Sequence, residues 1–260
     1  ELHSIGLRTI NIDTLPAPSA SGYPILPAID GEQAGRILFT SGTTGKPKGV
    51  RYTHAARWMG EQLLKAEMPF IPKPGDQVLL MTPFVHGSSL LTYAWCDLGG
   101  TVVLHPGVHT DQIEKLLTNN SLTAIFAPPT VLAKITSAFE GRHFEAIQCV
   151  FTGTQPLAPA MYHRACKMFG PNVRITYGKS ECVNPIAVLD RAQTHRYFTE
   201  EPIPPGACVG WPAPGVEIKI VRTQNEAQTS EPTTPEEQDD GEIYLRSPHM
   251  SSGLITEKGF

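Results

Sequence analysis

Apolar and polar positions alternate with two different periods along the chain, and the switches between them outline a fold. Residues 1–35 show neither period. They carry Pro16, Pro18, Pro24 and Pro27, which fix φ and remove backbone donors, so an extended lead-in segment with little helix is expected. From residue 36 onward, short apolar runs at 36–40 (RILFT), 77–81, 101–104, 123–127, 147–151 and 173–177 have the length of buried strands. Between them, 53–66, 88–97, 111–117, 129–139 and 158–169 read as helices. Ile113, Leu116 and Leu117 fall on one helical face, and Pro129 suits a first helical turn, where its missing N–H is no loss. Gly99-Gly100 marks a turn before the strand at 101–104. Strands alternating with helices predict an α/β fold: a doubly wound, mostly parallel sheet with helices on both faces. Ligands bind such sheets at the carboxyl ends of the strands. The loops after Thr40, Phe151 and Thr176 are therefore expected to share one rim.

The character changes between Pro202 and Pro214. Residues 216–221 (VEIKIV) and 242–246 (EIYLR) alternate with period two and are expected to pair as a β-hairpin or small barrel. The polar, acidic stretch between them, 222–241, reads as a loop. The expected organisation is a lead-in over 1–35, an α/β subdomain over 36–200 and a β-rich portion over 201–260.

Composition narrows the function. With 260 residues, 40% of them hydrophobic, the chain can bury a large core. A net charge of −4 without a basic stripe excludes the usual nucleic-acid binder, so no nucleic-acid partner is expected. No apolar run reaches the ~18 residues of a membrane-spanning helix, so no transmembrane segment is expected. Five scattered cysteines (Cys96, Cys149, Cys166, Cys182, Cys208) without a CxxC pair suggest free thiols in a reducing, cytoplasmic compartment rather than a metal site. The sequence starts at Glu1 and stops at Phe260 just after Glu257-Lys258-Gly259, which reads as a piece of a longer protein.

The strongest chemical signal runs from Thr40 to Gly49: Thr40-Ser41-Gly42-Thr43-Thr44-Gly45-Lys46-Pro47-Lys48-Gly49. Its glycines let the backbone approach an anion. Ser41, Thr43 and Thr44 supply hydroxyls, Lys46 and Lys48 supply charge, and backbone amides can form an anion-binding concavity. It is not a Walker A loop, which needs Ser or Thr after Gly-Lys; here Pro47 follows Lys46. A second signal, Thr176-Tyr177-Gly178-Lys179-Ser180-Glu181, also follows a strand. Its carboxylate can hold a hard cation such as Mg²⁺. Lys179 could meet a substrate carboxylate or face solvent. The turn Thr152-Gly153-Thr154-Gln155-Pro156-Leu157 and the stretch Thr82-Pro83-Phe84-Val85-His86-Gly87 complete the set.

These motifs resemble those of the adenylate-forming superfamily: acyl-CoA synthetases, coumarate–CoA ligases, luciferases and peptide-synthetase adenylation domains. Residues 39–49 resemble its phosphate loop, with Thr53-His54 as the usual continuation. Tyr177-Gly178-Lys179-Ser180-Glu181 is similar to its Tyr-Gly-x-Thr-Glu, with serine for threonine. Gly153-Thr154-Gln155-Pro156-Leu157 resembles its Gly-Gly-Ala-Pro-Leu, with Thr154 and Gln155 larger than usual. Residues 209–218 resemble its Val-Gly-x-Pro-x-Pro-Gly strand, and 241–246 its Gly-Glu-Ile-x-x-Arg strand. The likeness covers roughly 37–253.

The resemblance implies a central fragment of an acid–CoA ligase. That enzyme would join a small carboxylic acid to ATP as acyl-AMP, release pyrophosphate and pass the acyl group to CoA. Thr40, Ser41, Gly42, Thr43, Thr44, Gly45, Lys46 and Lys48 would hold the β- and γ-phosphates. Ser180 would meet the α-phosphate, and Glu181, helped by Thr44, would hold Mg²⁺. Tyr177 would flank adenine, with Thr154, Gln155, Thr176 and Gly178 around the nucleotide, and His86 would lie near the α-phosphate and acyl site. Catalytic weight would fall on Lys48, Ser180, Glu181 and His86. The family's Thr-Gly-Asp motif, its hinge and lysine-bearing lid domain, and its N-terminal subdomain do not occur in the 260 residues, so the chain alone is expected not to make a thioester. A carrier-protein-loading adenylation domain and a catalytically inactive nucleotide-binding module remain alternatives.

Overall fold

The computed structural model describes residues 28–41, 47–84, 88–203, 206–221 and 241–256. The chain divides into two compact units, Glu1–Asp30 and Gly31–Phe260; the second carries every helix and strand of the described residues.

A seven-stranded sheet forms its centre. The strands are β3 (Gln77–Leu80), β4 (Thr101–Leu104), β5 (Leu122–Phe126), β6 (Cys149–Gly153), β7 (Val173–Lys179), β8 (Cys182–Leu189) and β9 (Trp211–Pro212), in the order β4-β3-β5-β6-β7-β8-β9. The first five in that order run parallel; β8 and β9 are antiparallel additions at one edge. The expected α/β architecture with a mostly parallel sheet is therefore what forms.

Residue alternation along the strands builds two cores. Leu79, Ile125, Val150, Val173 and Ile175 face one side. There they meet Ile113 and Leu117 of α3 (Thr110–Leu117), Leu132 and Ile135 of α4 (Pro129–Ala138), Tyr162 and Ala165 of α5 (Pro159–Phe169), and Phe198 of α6 (Arg191–Thr199). Val78, Leu80, Ala124, Cys149 and Phe151 face the other side and pack against Leu91 and Trp95 of α2 (Ser89–Asp97). The period-two switch of side-chain direction and the double burial explain why these strands read as continuous apolar runs. Each fully buried Leu, Ile or Phe contributes about 1.5–3 kcal/mol relative to exposure.

Helix α1 (His54–Ala66) begins where Thr53 caps it, the Thr53 side chain accepting from the Ala56 amide at 3.1 Å. Helix α6 begins with a capping box in which Asp190 and Gln193 satisfy each other's backbone amides.

One expectation is corrected. The strand at 36–40 is not a buried strand of the parallel sheet. It is part of β1 (Ala34–Ser41), which pairs antiparallel with β2 (Pro47–Thr53); β12 (Gly253–Ile255) completes this separate three-stranded sheet. Ile37 is 46% and Phe39 63% exposed, because alternate residues of a two-sided ribbon point outward. The β-rich portion takes the first of its two expected forms. Strands β10 (Glu217–Val221) and β11 (Glu242–Arg246) pair as the expected hairpin, but no barrel closes among the described residues. β9 instead extends the large sheet, and β12 the small one.

Candidate functional site

The parallel strands end at one edge, and β6 and β7 deliver the two motif turns there side by side. Gly153 pairs with Thr176 across them. The approach is so close that a β-carbon at position 153 would stand 2.3 Å from the Thr176 carbonyl oxygen, so only glycine fits. Thr154 follows with φ of +68°, a left-handed conformation that a β-branched residue adopts only under strain. It occupies the place where the similar motif has a second glycine. After β7 the chain reverses through Ser180-Glu181, since Lys179 pairs with Cys182 of β8.

The β1–β2 hairpin covers this edge. Arg36 pairs with Tyr52, Leu38 with Val50 and Thr40 with Lys48. Paired residues and every second neighbour share a face, so Arg36, Leu38, Thr40, Lys48, Val50 and Tyr52 form the inner face of the ribbon. The buried Tyr52 hydroxyl donates to the Ser180 carbonyl. Burial raises the Tyr52 pKa well above its ordinary value, helped by Cys182 and Glu181 nearby, so the phenol stays protonated and able to donate. The Ser251 amide donates to the Glu181 carbonyl at 2.8 Å, and the Ser252 amide to the Arg51 carbonyl at 2.9 Å. The turn at 180–181 is thus held from both sides. Beneath it, buried His249 contacts the Pro185 carbonyl through Nε2 at 3.2 Å and Cys182 Sγ at 3.5 Å. Burial pushes the Cys182 thiol up to about 11, so it serves as packing, not as a nucleophile.

Sheet edge, hairpin and α1 enclose a cavity of about 480 Å³. Leu38, Leu64, Leu90, Leu91, Phe126 and Phe151 give it apolar walls. Thr154, Thr176, Gly178, Ser180 and Glu181, all expected from the sequence, line it together with Lys179. Gln155 is exposed beside Thr154 and Tyr177 packs the other way, against Cys182, Ile186, Ala213 and Val216; neither lines the cavity. Lys48 and Thr40 lie on its face of the hairpin but further along. Lys48 stands four positions before Tyr52, about 13 Å of strand at ~3.3 Å per residue. Gly42, Thr43, Thr44, Gly45, Lys46 and His86 lie outside the described residues, as does the Ser41 side chain.

Three arginines in the cavity wall were not singled out by sequence. Arg36 donates to Ser89 Oγ at 2.8 Å, and burial together with neighbouring Arg57 lowers its pKa. Arg57 lies 5.4 Å from the Tyr93 ring, and its Nε is buried without a hydrogen-bond partner. Arg174 is 2% exposed. The apolar spacing of strand residues 173–177 gave no sign that the intervening charge would be buried.

For a divalent cation, the described residues contain no group of three or more His, Cys, Asp or Glu side chains. The donor set is the single exposed Glu181 carboxylate at the cavity. One carboxylate fits Mg²⁺, which commonly takes one or two protein carboxylates and completes its shell with water and substrate phosphates. No helix among the described residues is long and apolar enough to cross a membrane.

The sequence profile of the AMP-binding enzymes matches residues 9–255. The 2-succinylbenzoate–CoA ligase of Bacillus subtilis is 28% identical over 253 residues, covering 97% of this chain and 48% of that protein. The solved o-succinylbenzoate coenzyme A synthetase of Bacillus subtilis in complex with ATP and magnesium ion matches with a TM-score of 0.72 at 25% identity, over 98% of this chain and 50% of that one. The amide bond synthetase of Marinactinospora thermotolerans gives a TM-score of 0.71 at 24% identity, over 91% and 45% of the two chains, a likeness of fold. The chain thus spans about half the length of these relatives.

Proposed function

The chain belongs to the AMP-binding enzyme family, and from that premise we propose that it carries the ATP-binding and acid-binding half of an acid–CoA ligase. The carrying observation is the cavity at the carboxyl edge of the parallel strands, lined by the 153–154 and 178–181 turns and roofed by the β1–β2 hairpin. ATP, a small carboxylic acid and CoA are the substrates.

In the proposed reaction the acid's carboxylate oxygen attacks the α-phosphorus of ATP. The bond to the β-phosphate oxygen breaks, giving acyl-AMP and pyrophosphate; CoA sulfur later displaces AMP to form the thioester. Catalysis of this kind is largely positioning and charge neutralisation. Thr40, Ser41, Lys48 and the residues from Gly42 to Lys46 hold the β- and γ-phosphates, and Lys48 offsets charge on departing pyrophosphate. Ser180 orients the α-phosphate, with His86 beside it. Thr154, Thr176 and Gly178 surround the nucleoside, while Gln155 and Tyr177 stand outside the cavity wall. Tyr52, which sequence reading did not identify, positions Ser180 through its carbonyl. Glu181 and Thr44 would hold Mg²⁺, which supplies charge stabilisation to the phosphates. The apolar walls keep the acyl group from water. Five cysteines without a disulfide support work in a reducing, cytoplasmic compartment.

The test is to incubate the protein with ATP, Mg²⁺, hydroxylamine and a panel of carboxylic acids. Acid-dependent hydroxamate with equimolar pyrophosphate is the expected result. ATP consumption that no acid stimulates would overturn the proposal.

A further inference from the structure

The cavity has a charged floor. Side chains 174, 176 and 178 of β7 share the face that looks toward α1 and α2, since Arg174 pairs with Phe151 and Thr176 with Gly153. Gly178, Ser180 and Glu181 mark the end where the proposed reaction takes place. Arg174 lies four residues back along the strand from Gly178, about 13 Å at ~3.3 Å per residue. Helix α1 runs beside the cavity in the opposite sense: Arg57, in its first turn, stands with Arg36, while Glu67, just past its end, gives its carbonyl to Arg174.

Arg174 is the most deeply buried charge of the described residues. It donates from Nη1 to Thr176 Oγ1 at 2.7 Å and from Nη2 to the Glu67 carbonyl at 3.1 Å. Its guanidinium also lies 5.4 Å from the Phe151 ring centroid. A guanidinium has five N–H donors, and these partners take two. Among the described residues no carboxylate stands within ion-pair distance of it. Both hydrogen-bond acceptors are neutral, so nothing in contact balances the charge. Burial disfavours the charged form and lowers the Arg174 pKa, against the opposing pull of Cys149, Glu67 and Asp190, which act from beyond contact, yet arginine remains protonated at any physiological pH. A buried charge with no opposite charge in contact with it is costly. A planar fork at the end of an apolar cavity matches the geometry of a carboxylate.

We propose that Arg174 is a specificity-determining residue and that the cavity takes a dicarboxylic acid. One carboxylate sits at the 178–181 turn, where it reacts; the other lies at the floor on Arg174, with an apolar spacer between Leu64, Leu90, Phe126 and Phe151. This rests on the proposed activation of an acid in the same cavity. The guanidinium reaches Thr176, two residues from Gly178 and about 7 Å along the strand, which suits a spacer like that of adipate.

The experiment separates binding from chemistry. Adipate, its monomethyl ester and hexanoate are titrated calorimetrically into the protein without nucleotide, and pyrophosphate formation is followed separately with ATP and Mg²⁺. Adipate is expected to bind at least about tenfold tighter than either hexanoate or the monomethyl ester. Arg174→Met should remove that preference and leave hexanoate binding within about threefold, and Arg174→Lys should restore part of it. Equal binding of the three acids by the unmodified protein overturns the inference even if Arg174→Met does not fold, as does an unchanged preference in that variant. Adipate preference without pyrophosphate would overturn the adenylation reading alone. Pyrophosphate from hexanoate, with no preference for adipate, would overturn the assignment of Arg174 alone.

Discussion

Two adjacent positions at the end of β6 should respond to substitution with opposite signs. Gly153→Ala places a β-carbon 2.3 Å from the Thr176 carbonyl oxygen, whereas real β-carbons essentially never come within 3.0 Å of another heavy atom. The neighbour is backbone in the middle of a parallel sheet, so β6 and β7 must part by roughly 0.7 Å or more, the difference between those two distances. Overpacking of that kind costs about 1–3 kcal/mol. A loss of about 2 kcal/mol lowers the urea midpoint by roughly 0.7 M, at a slope near 3 kcal/mol/M for a chain this size. Thr154 is the converse. Its φ of +68° stores about 1–2 kcal/mol of backbone strain. Thr154→Gly releases it, and the greater freedom of the unfolded chain offsets about 0.4–1 kcal/mol of the gain. The expected net effect lies between zero and about 1.6 kcal/mol of stabilisation. Equilibrium urea unfolding followed by far-UV circular dichroism reads both. An alanine at 153 that lowers stability by less than about 0.5 kcal/mol, or a glycine at 154 that lowers it by more than about 1 kcal/mol, would refute the account of this turn.

Tyr52→Phe should cost about 0.5–1.5 kcal/mol at neutral pH through the lost bond to the Ser180 carbonyl. Because burial raises the Tyr52 pKa above its unfolded value, its contribution is fully present below about pH 10, the unfolded value, and declines as pH rises toward the folded one. The variant and the parent should therefore converge in alkaline unfolding, and a constant difference up to pH 11 would contradict this. Thiol labelling of the native protein should modify exposed Cys96 first and leave buried Cys149 and Cys182 unmodified. Burial pushes those two up to about 12 and about 11; their reaction at the rate of Cys96 would show that the packing is wrong. Glu181→Gln should raise the Mg²⁺ concentration needed for half-maximal adenylation by tenfold or more while shifting the melting temperature little, since this carboxylate is exposed. Unchanged Mg²⁺ dependence would remove it from the metal site.

How far the sequence disclosed this structure can be judged element by element. Helices with a clear start signal, such as Thr53 before α1 and Pro129 opening α4, were legible because capping and proline geometry are local. The stretch from Cys182 to Thr199 was not. Pro185 inside β8 argues against a strand by its missing donor, and α6 buries only Thr194 and Phe198, too little for a helical stripe. The missed signal was the Asp190–Gln193 capping box. The RILFT run looked like a parallel core strand because its composition is apolar; only pairing with β2 reveals a ribbon whose alternate residues face outward. At the site, the glycine- and hydroxyl-bearing turns were readable as motifs. The arginines were not, because the burial of Arg174 depends on where α1 ends relative to β7, a tertiary fact that no local pattern carries. Tyr52 was hidden for the same reason, since its partner Ser180 is 128 residues away in the chain.

The most direct test of the central claim is acid-dependent exchange of labelled pyrophosphate into ATP, measured for the protein and for its Lys48→Ala variant at matched folded concentration. In the proposed reaction Lys48 offsets the charge of departing pyrophosphate. The predicted result is exchange that appears only with a carboxylic acid and Mg²⁺ and falls at least a hundredfold in Lys48→Ala, with the unfolding transition unchanged. Exchange of equal rate in the variant would contradict the account.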